Sequence, residues 1–138
     1  MIFNWKMPGK SPAAPSSAPP ASTRGKGAAA ENAALEYLHG RGLALVERNF
    51  KTPGRGGGEI DLIMRAQGGA LIFVEVRARR NAVAGGAAAS VTTTKQRRII
   101  LAAQHYLRRY GSPPPCRFDV VAIEGGNIEW IQGAFSAQ

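Results

Sequence analysis

Apolar residues recur along this chain with two different periods, and the change from one to the other predicts seven elements of secondary structure. From Lys26 to about Arg41, and again from Thr93 to about Tyr110, apolar side chains are spaced three and four residues apart, which is typical of helices. Shorter runs rich in β-branched residues predict strands at residues 43–50, 58–65, 70–78, 116–124 and 127–132. The resulting order αβββαββ indicates an α/β fold in which helices flank a mixed sheet.

Glycines and capping residues mark the boundaries of these elements. The glycine-rich residues 52–58 predict a turn after the first strand, and Gln67-Gly-Gly69 predicts a hairpin between the second and third. Residues 80–91 are rich in Gly and Ala and predict a loop. Thr93 and Gln96 have the spacing of a capping box, which predicts that the second helix starts there.

Two predicted strands carry a carboxylate in the middle of an apolar pattern. Side-chain alternation puts Glu59, Asp61 and Ile63 on one face of the second strand, and Glu75 with Arg77 on one face of the third. A carboxylate in an apolar interior is costly, or shifts its pKa, unless it is paired or binds a cation. If the strands form a hairpin, Asp61 and Glu75 lie close together, and a hard ion such as Mg²⁺ suits them. Two interpretations stay open: a metal site, or a buried ionic cross-link.

The charge of the chain indicates a class of partner. The formal net charge is +9 and the isoelectric point is about 10.6. Residues 1–24 hold three basic residues and no acid, so 15 Lys and Arg against 9 Asp and Glu leave six excess positive charges in the remainder. Nucleic acid is the commonest partner for such a charge, through phosphate contacts. A basic protein without that partner is the plainer alternative.

Composition also sets several classes of protein aside. Residues 1–24 contain five of the nine prolines among Ala and Ser, which predicts a disordered tail before one domain at residues 25–138. The single Cys116 excludes an internal disulfide and a multi-cysteine zinc site. No run approaches the ~20 apolar residues of a membrane span, and the N-terminus lacks the continuous apolar stretch of a secretory signal. We therefore expect a cytoplasmic protein and no membrane partner.

Two basic residues accompany the predicted carboxylate pair. Arg77, on the same face as Glu75, would hold a phosphate bidentately and stay charged, so it could not act as a base. A metal ion beside it could activate water and stabilise the charge of a phosphodiester transition state. Lys95 falls in the first turn of the second helix, where the macrodipole disfavours a cation. A residue so placed indicates a functional role, such as contact with phosphate.

Several short motifs stand in a fixed order between residues 25 and 138. They are Gly58-Glu-Ile-Asp-Leu-Ile63, Phe73-Val-Glu-Val-Arg77, Gly85-Gly-Ala-Ala-Ala-Ser-Val-Thr92, Lys95-Gln96 and Arg117-Phe-Asp-Val-Val121. In this order they resemble the bacterial YraN family and, more widely, the PD-(D/E)XK nucleases. The resemblance implies a restriction-endonuclease-like αβββαββ core, similar in fold to archaeal Holliday-junction resolvases, and suggests nucleic-acid binding.

The resemblance also implies roles for individual residues. Asp61 and Glu75 would bind Mg²⁺ or Mn²⁺, and Glu31 would lean in from the first helix as a further ligand. Arg77 stands where the wider nuclease pattern usually has Lys, and arginine cannot replace the proton chemistry of lysine. Lys95 is the candidate that compensates, so the predicted catalytic set is Asp61, Glu75, Arg77 and Lys95. The predicted nucleic-acid-binding residues are Arg79, Arg80, Lys95, Arg97 and Arg98.

Three functions are compatible with these features. The first is a Mg²⁺-dependent endonuclease that acts on DNA, branched or otherwise structured, in repair or recombination. The second is a DNA-binding module that keeps the nuclease fold without turnover, an interpretation that Arg77 favours. The third is an interaction subunit of a repair assembly with residues 1–24 as a tether. Resolvase-like folds often act as dimers, so a homodimer is an open option.

Some of these residues also have plainer structural interpretations. Glu31 is an acid near the start of a helix, where the dipole favours it whatever the function. Glu59 has the option of pairing with a neighbouring arginine. Arg117 and Asp119 share one strand face, and we predict that they form a structural ion pair with each other.

Overall fold

The computed structural model describes residue 2 and residues 26–54, 56–78 and 91–137. Their elements confirm the predicted α/β fold and the order αβββαββ. The predicted tail apart from Ile2, and the predicted loop at residues 80–91 apart from Val91, lie outside the described residues. The elements are α1 (Lys26–Gly40), β1 (Ala44–Lys51), β2 (Glu59–Arg65), β3 (Leu71–Ala78), α2 (Thr93–Leu107), β4 (Cys116–Glu124) and β5 (Asn127–Phe135).

The five strands form one mixed sheet in the order in which they occur along the chain. β1, β2 and β3 pair antiparallel, β3 and β4 pair parallel, and β4 and β5 pair antiparallel. A parallel pair needs a connection that returns to the starting end of the sheet, and α2 lies within that connection. Because β2 and β3 are antiparallel, the carboxyl end of β3 lies at the same end of the sheet as the start of β2.

The two helices cover opposite faces of the sheet. α1 buries Ala34 and Leu38 against a cluster that includes Leu62 and Val74. α2 buries a second cluster, in which Tyr106 meets neighbouring aromatic rings edge-on. Burying one large apolar side chain contributes about 1.5–3 kcal/mol, so these clusters are the main source of stability. The buried members of the second cluster on α2 are Ile99, Ala102, Ala103, Tyr106 and Leu107.

The helix α2 starts at Thr93, and its N-cap is the residue before the predicted capping box. Thr92 is the N-cap, and its hydroxyl accepts a hydrogen bond from the Lys95 N–H at 3.1 Å. The predicted pairing of Thr93 with Gln96 is therefore wrong, because the Gln96 side-chain amide donates to the Val91 carbonyl instead, at 3.0 Å. This registry leaves Lys95 in the first turn, as predicted.

The end of α2 lies three residues before the predicted one. The backbone N–H groups of Arg108, Arg109 and Tyr110 bond to carbonyls three residues back rather than four, so the helix ends at Leu107 in a tightened turn. α1 and α2 each contain 15 residues, and neither has the length and hydropathy that a membrane-crossing helix needs.

Arg117 and Asp119 of β4 form the predicted structural ion pair, and the Asp119 carboxylate also bonds to β5. Asp119 is fully buried, and its carboxylate accepts two hydrogen bonds from the Arg117 guanidinium at 2.8 and 2.9 Å. It also accepts from the Trp130 indole N–H at 2.8 Å and from the Gly133 N–H at 3.0 Å. Gly133 has a φ of 62°, which bends β5 at an irregular position of the ladder. The bend lets β5 run on to Phe135 rather than end at residue 132.

The side-chain alternation of β2 is interrupted beside Asp61, opposite a left-handed residue of β1. Asn49 has a φ of 52°, in the left-handed region, and the strand register places Asn49 opposite Asp61. Ile60 and Ile63 pack into the same core cluster, although they are three residues apart on one strand. The regular alternation on which the shared face of Glu59, Asp61 and Ile63 was predicted is therefore interrupted between Ile60 and Leu62.

Candidate functional site

Asp61 leaves the regular ladder at the end of the sheet where β2 begins. The described β2–β3 pairs run from Arg65 to Leu62, and Asp61 is not among them. Its Oδ2 accepts a hydrogen bond from the Val76 N–H at 2.8 Å. The side chain of Asp61 thus reaches β3 and supplies the acceptor for a backbone N–H there.

Glu75 projects from β3 towards α2 and is almost completely buried. Its side chain is 4% exposed, and its Oε2 lies 3.7 Å from Arg77 Nη1 and 3.6 Å from Lys95 Nζ. The side chains of Arg77 and Lys95 are about ten times as exposed, at 38% and 40%. The buried carboxylate therefore has two cations on the side that faces solvent.

The carboxyl groups of Asp61 and Glu75 lie within hydrogen-bonding reach of each other, as the predicted hairpin required. Burial, followed by the charge of Glu75, raises the pKa of Asp61 to about 8. Burial also raises the pKa of Glu75, while Lys95, the bond to Asp61 and Arg77 act in the opposite direction. At neutral pH Asp61 is therefore largely protonated.

The donor set suits a hard divalent cation. The half-buried Asp61 and the buried Glu75 provide oxygen ligands, and a cation between them would relieve the repulsion of two carboxylates. No Lys or Arg among the described residues forms an ion pair with Asp61, whereas Glu75 pairs with both Arg77 and Lys95. The two interpretations from the sequence, a metal site and a buried ionic cross-link, both stay open for the pair.

Glu31 stands apart from the pair. Its Oε1 lies 3.6 Å from Arg48 Nη2, an ion pair between α1 and β1, and its charge raises the pKa of Asp61 as a smaller cause than that of Glu75. Among the residues that the structure describes, no three His, Cys, Asp or Glu side chains form a group that could hold a metal. Water and substrate oxygens would complete the coordination at Asp61 and Glu75, as is usual for Mg²⁺.

The residues predicted to bind nucleic acid lie on α2 and in the chain before it. Lys95 points to Glu75, whereas Arg97 and Arg98 are exposed on the first half of the helix. Arg79 and Arg80 lie outside the described residues. A cavity of about 300 Å³ opens beside Lys95, between the β1–β2 turn and α2. We call it the basic cleft, and its lining residues are Lys51, Thr52, Gly54, Gly57, Gly58, Glu59, Lys95 and Arg98.

Comparison with known proteins identifies the family of this chain. Residues 30–123 match the uncharacterised protein family UPF0102, which is the YraN family. The chain belongs to this family. The UPF0102 segment contains all the predicted site residues and all the residues that line the basic cleft, whereas residues 1–29 lie outside it.

Relatives in the UPF0102 family match nearly the whole domain. The UPF0102 protein of Acidovorax sp. (strain JS42) is 60% identical over 121 residues, which cover 88% of this chain and 92% of that protein. The one from Albidiferax ferrireducens is 62% identical and covers 80% of this chain and 87% of its own length. The one from Polaromonas sp. (strain JS666) is 52% identical, with 99% of both chains covered.

Sequence reasoning missed three residues near the candidate site. The available signal at Asn49 was its residue type, because asparagine is enriched in the left-handed region. Nothing in the sequence pattern marked Arg48, whose Nε is buried without a hydrogen-bond partner among the described residues. Lys51 directly precedes the glycine-rich turn, and the glycines were the available signal, since such runs let backbone segments approach each other closely.

Proposed function

We propose that this UPF0102 protein is a Mg²⁺- or Mn²⁺-dependent nuclease that cleaves phosphodiester bonds in DNA. The observation that carries the proposal is the closeness of two carboxylates, the half-buried Asp61 with its raised pKa and the buried Glu75, with Lys95 beside them. Perturbed carboxylates next to specific cations are typical of functional sites. The excess positive charge of the chain supports nucleic acid as the substrate.

Each residue of the pair and its neighbours has a separate task in this proposal. Asp61 and Glu75 hold the ion, and the Val76 N–H fixes the orientation of the Asp61 carboxylate. A divalent ion bound there supplies a water of lowered pKa and stabilises the charge on the phosphate. Arg77 lies at the solvent side of Glu75, where its guanidinium can bind a phosphate oxygen.

Lys95 of α2 supplies the ammonium group that β3 lacks, because β3 has arginine where the wider nuclease pattern usually has lysine. Its ammonium reaches the same Glu75 oxygen as Arg77 does, at 3.6 Å compared with 3.7 Å, although the two residues lie on different elements. A lysine therefore stands beside the carboxylates even though the strand position holds Arg77. We propose that Lys95 donates hydrogen bonds to the attacking water or to the phosphate, a task for a compact ammonium group.

A DNA-binding module without turnover is the second candidate. Arg77 favours it, because a guanidinium stays protonated and can contribute binding but no proton transfer. This candidate predicts salt-sensitive DNA binding that survives the loss of either carboxylate. Calorimetry with Mg²⁺ or Mn²⁺, with Asp61→Ala as the control, separates the two, because only the nuclease proposal requires an ion at the pair.

A cleavage assay across a panel of DNA structures tests the nuclease proposal directly. Duplex, single-stranded and four-way-junction DNA are incubated with the protein and Mn²⁺ or Mg²⁺, and parallel samples contain a chelator. We expect cleavage of at least one substrate that chelation abolishes. Glu36→Gln, an exposed acid on α1, serves as a control that keeps activity. Absence of cleavage on every substrate with both metals contradicts turnover.

The role of Lys95 is testable by separating cleavage from metal binding. We expect Lys95→Gln to lower the cleavage rate by about 100-fold or more, because one hydrogen-bond donor to a transition state is typically worth that much. The increase in melting temperature caused by Mn²⁺ should remain, since Asp61 and Glu75 are intact. Arg108→Gln, an exposed cation just beyond α2, is the charge-matched control. Wild-type cleavage by Lys95→Gln would remove Lys95 from the catalytic set.

A further inference from the structure

The basic cleft adjoins the carboxylate pair through a shared residue. Lys95 lines the cleft and also reaches Glu75, so a strand whose phosphate lies at the pair would continue into the cleft. We propose that the basic cleft binds a backbone phosphate next to the one at the Asp61–Glu75 pair, and that it does so without reading the bases. The inference rests on the proposed function for the path of the strand, whereas Lys51 and Arg98, the cations that it adds, have no task in the proposed cleavage.

The charges of the cleft favour an anion. Lys51, Lys95 and Arg98 contribute three positive charges, and Glu59 contributes the one negative charge among the described lining residues. Lys51 and Glu59 are cross-strand partners in the β1–β2 ladder, so Glu59 offsets part of the charge of Lys51. Lys51 and Arg98 are exposed, and they can therefore meet a phosphate without first breaking a buried pair.

The cleft has a wall that is fixed by backbone contacts. The Gly58 N–H donates to Thr52 Oγ1 at 2.8 Å, and the Thr52 N–H donates to the Gly58 carbonyl at 3.1 Å, which closes the turn. A Cβ on Gly58 would collide with the backbone carbonyl of Arg98 on α2, and a Cβ on Gly57 would collide with Thr52 Oγ1. The turn and α2 thus meet backbone to backbone, which holds Lys51 and Arg98 on opposite sides of one small space.

The lining also indicates which part of a nucleotide would occupy the cleft. The described lining residues are charged, hydroxylated or glycine, and none is aromatic. Binding of unpaired bases relies on stacking against aromatic rings, whereas cations and small polar groups contact phosphate and sugar. A phosphate contact fixes the position of the strand and is insensitive to sequence. We therefore assign to the cleft a general backbone contact that sets the register of the strand at the pair.

The test is the salt dependence of DNA binding, measured in chelator with oligonucleotides of different sequence. We expect Lys51→Gln/Arg98→Gln to weaken binding about 10-fold and to reduce the slope of log K against log salt by about 0.9 for the lost phosphate. Arg41→Gln/Arg108→Gln removes the same charge from exposed sites that follow α1 and α2, and it should leave the slope unchanged. Glu59→Gln should strengthen binding about 2- to 5-fold, a gain that misfolding cannot produce.

These measurements distinguish a failure of the phosphate site in the cleft from a failure of the nuclease proposal. An unchanged slope in the cleft variant, an equal loss in the control variant, or a loss that depends on base sequence overturns the inference. A wild-type protein that binds no DNA overturns it as well. Cleavage and the Mn²⁺-induced rise in melting temperature are measured on the same proteins. If both are absent while the cleft variant still lowers the slope, the nuclease proposal fails and the phosphate site stands.

Discussion

Asp61→Asn is expected to stabilise the metal-free protein and to abolish its response to Mn²⁺. Burial and the charge of Glu75 raise the pKa of Asp61 from 3.8 to about 8, so folding at neutral pH requires an unfavourable protonation. An asparagine needs no proton, can accept the Val76 N–H and can donate to Glu75. The expected gain at pH 7 is on the order of 3 kcal/mol, which corresponds to roughly 4 °C in melting temperature per kcal/mol.

The pH dependence of this gain follows from the direction of the shift. Because the pKa in the folded protein is the higher one, the wild type carries no penalty below pH 4 and loses stability as the pH rises towards 8. The difference in melting temperature between Asp61→Asn and the wild type should therefore be small at pH 4 and largest near pH 8. Thermal melts across this range in chelator measure it, with Glu36→Gln as the control.

Addition of Mn²⁺ should reverse the order of the two proteins. An ion that binds only the folded state at 100 times its dissociation constant stabilises by about 2.7 kcal/mol. The wild type should gain this amount, whereas Asp61→Asn lacks one of the two charged ligands and should gain almost nothing. Its cleavage should fall at least about 100-fold, since even outer-shell partners of a metal are worth about 10- to 100-fold in affinity or activity. A metal response in Asp61→Asn contradicts the metal site. A melting temperature of Asp61→Asn below that of the wild type in chelator contradicts the raised pKa of Asp61.

Asp119→Ala is expected to destabilise the fold by about 3–5 kcal/mol, because it leaves the guanidinium of Arg117 buried without a counter-charge. The Trp130 and Gly133 N–H groups would lose their acceptors as well. Typical domains have a free energy of unfolding of about 5–15 kcal/mol, so this loss is a large fraction of the total. Urea denaturation followed by fluorescence measures it.

A double variant distinguishes the cost of an unpaired charge from the cost of lost packing. Asp119→Leu/Arg117→Met removes both charges, and we expect it to be more stable than Asp119→Ala, because an isolated buried cation is worse than an apolar pair. The Mn²⁺-induced rise in melting temperature should remain in the double variant, since Asp61 and Glu75 are on other strands. A cost below about 1 kcal/mol for Asp119→Ala contradicts the buried network.

The predictable part of the fold is the part that local patterns control. Strand β4 starts and ends at the predicted residues, and β2 and β3 start within one residue of theirs, because β-branched runs and turn signals are local. Three boundaries moved for reasons that a pattern does not contain. Thr92 rather than Thr93 caps α2, the turn after Leu107 tightens, and the bend at Gly133 lengthens β5.

The candidate site also combines features that the sequence predicts with features that depend on long-range contacts. The closeness of Asp61 and Glu75 follows from two strands joined by a tight hairpin, and the sequence predicts it. The hydrogen bond that Asp61 accepts from the Val76 N–H does not follow, because it forms where β2 leaves the regular ladder with β3. The distance from Lys95 to Glu75 depends on how α2 packs on the sheet, a long-range contact that passes through Gly58 and Arg98.

Two cations on one carboxylate oxygen have a consequence for the order in which ligands assemble. With a proton on Asp61, the group formed by Glu75, Arg77 and Lys95 carries a net charge of +1 (two cations against one carboxylate). Such a group attracts phosphate but repels a free divalent ion, whereas a bound phosphate lowers that repulsion. DNA and metal should therefore strengthen each other's binding by the same factor, as thermodynamic linkage requires. The site would hold metal more tightly once DNA has bound, which would favour hydrolytic chemistry at the moment when a substrate is present.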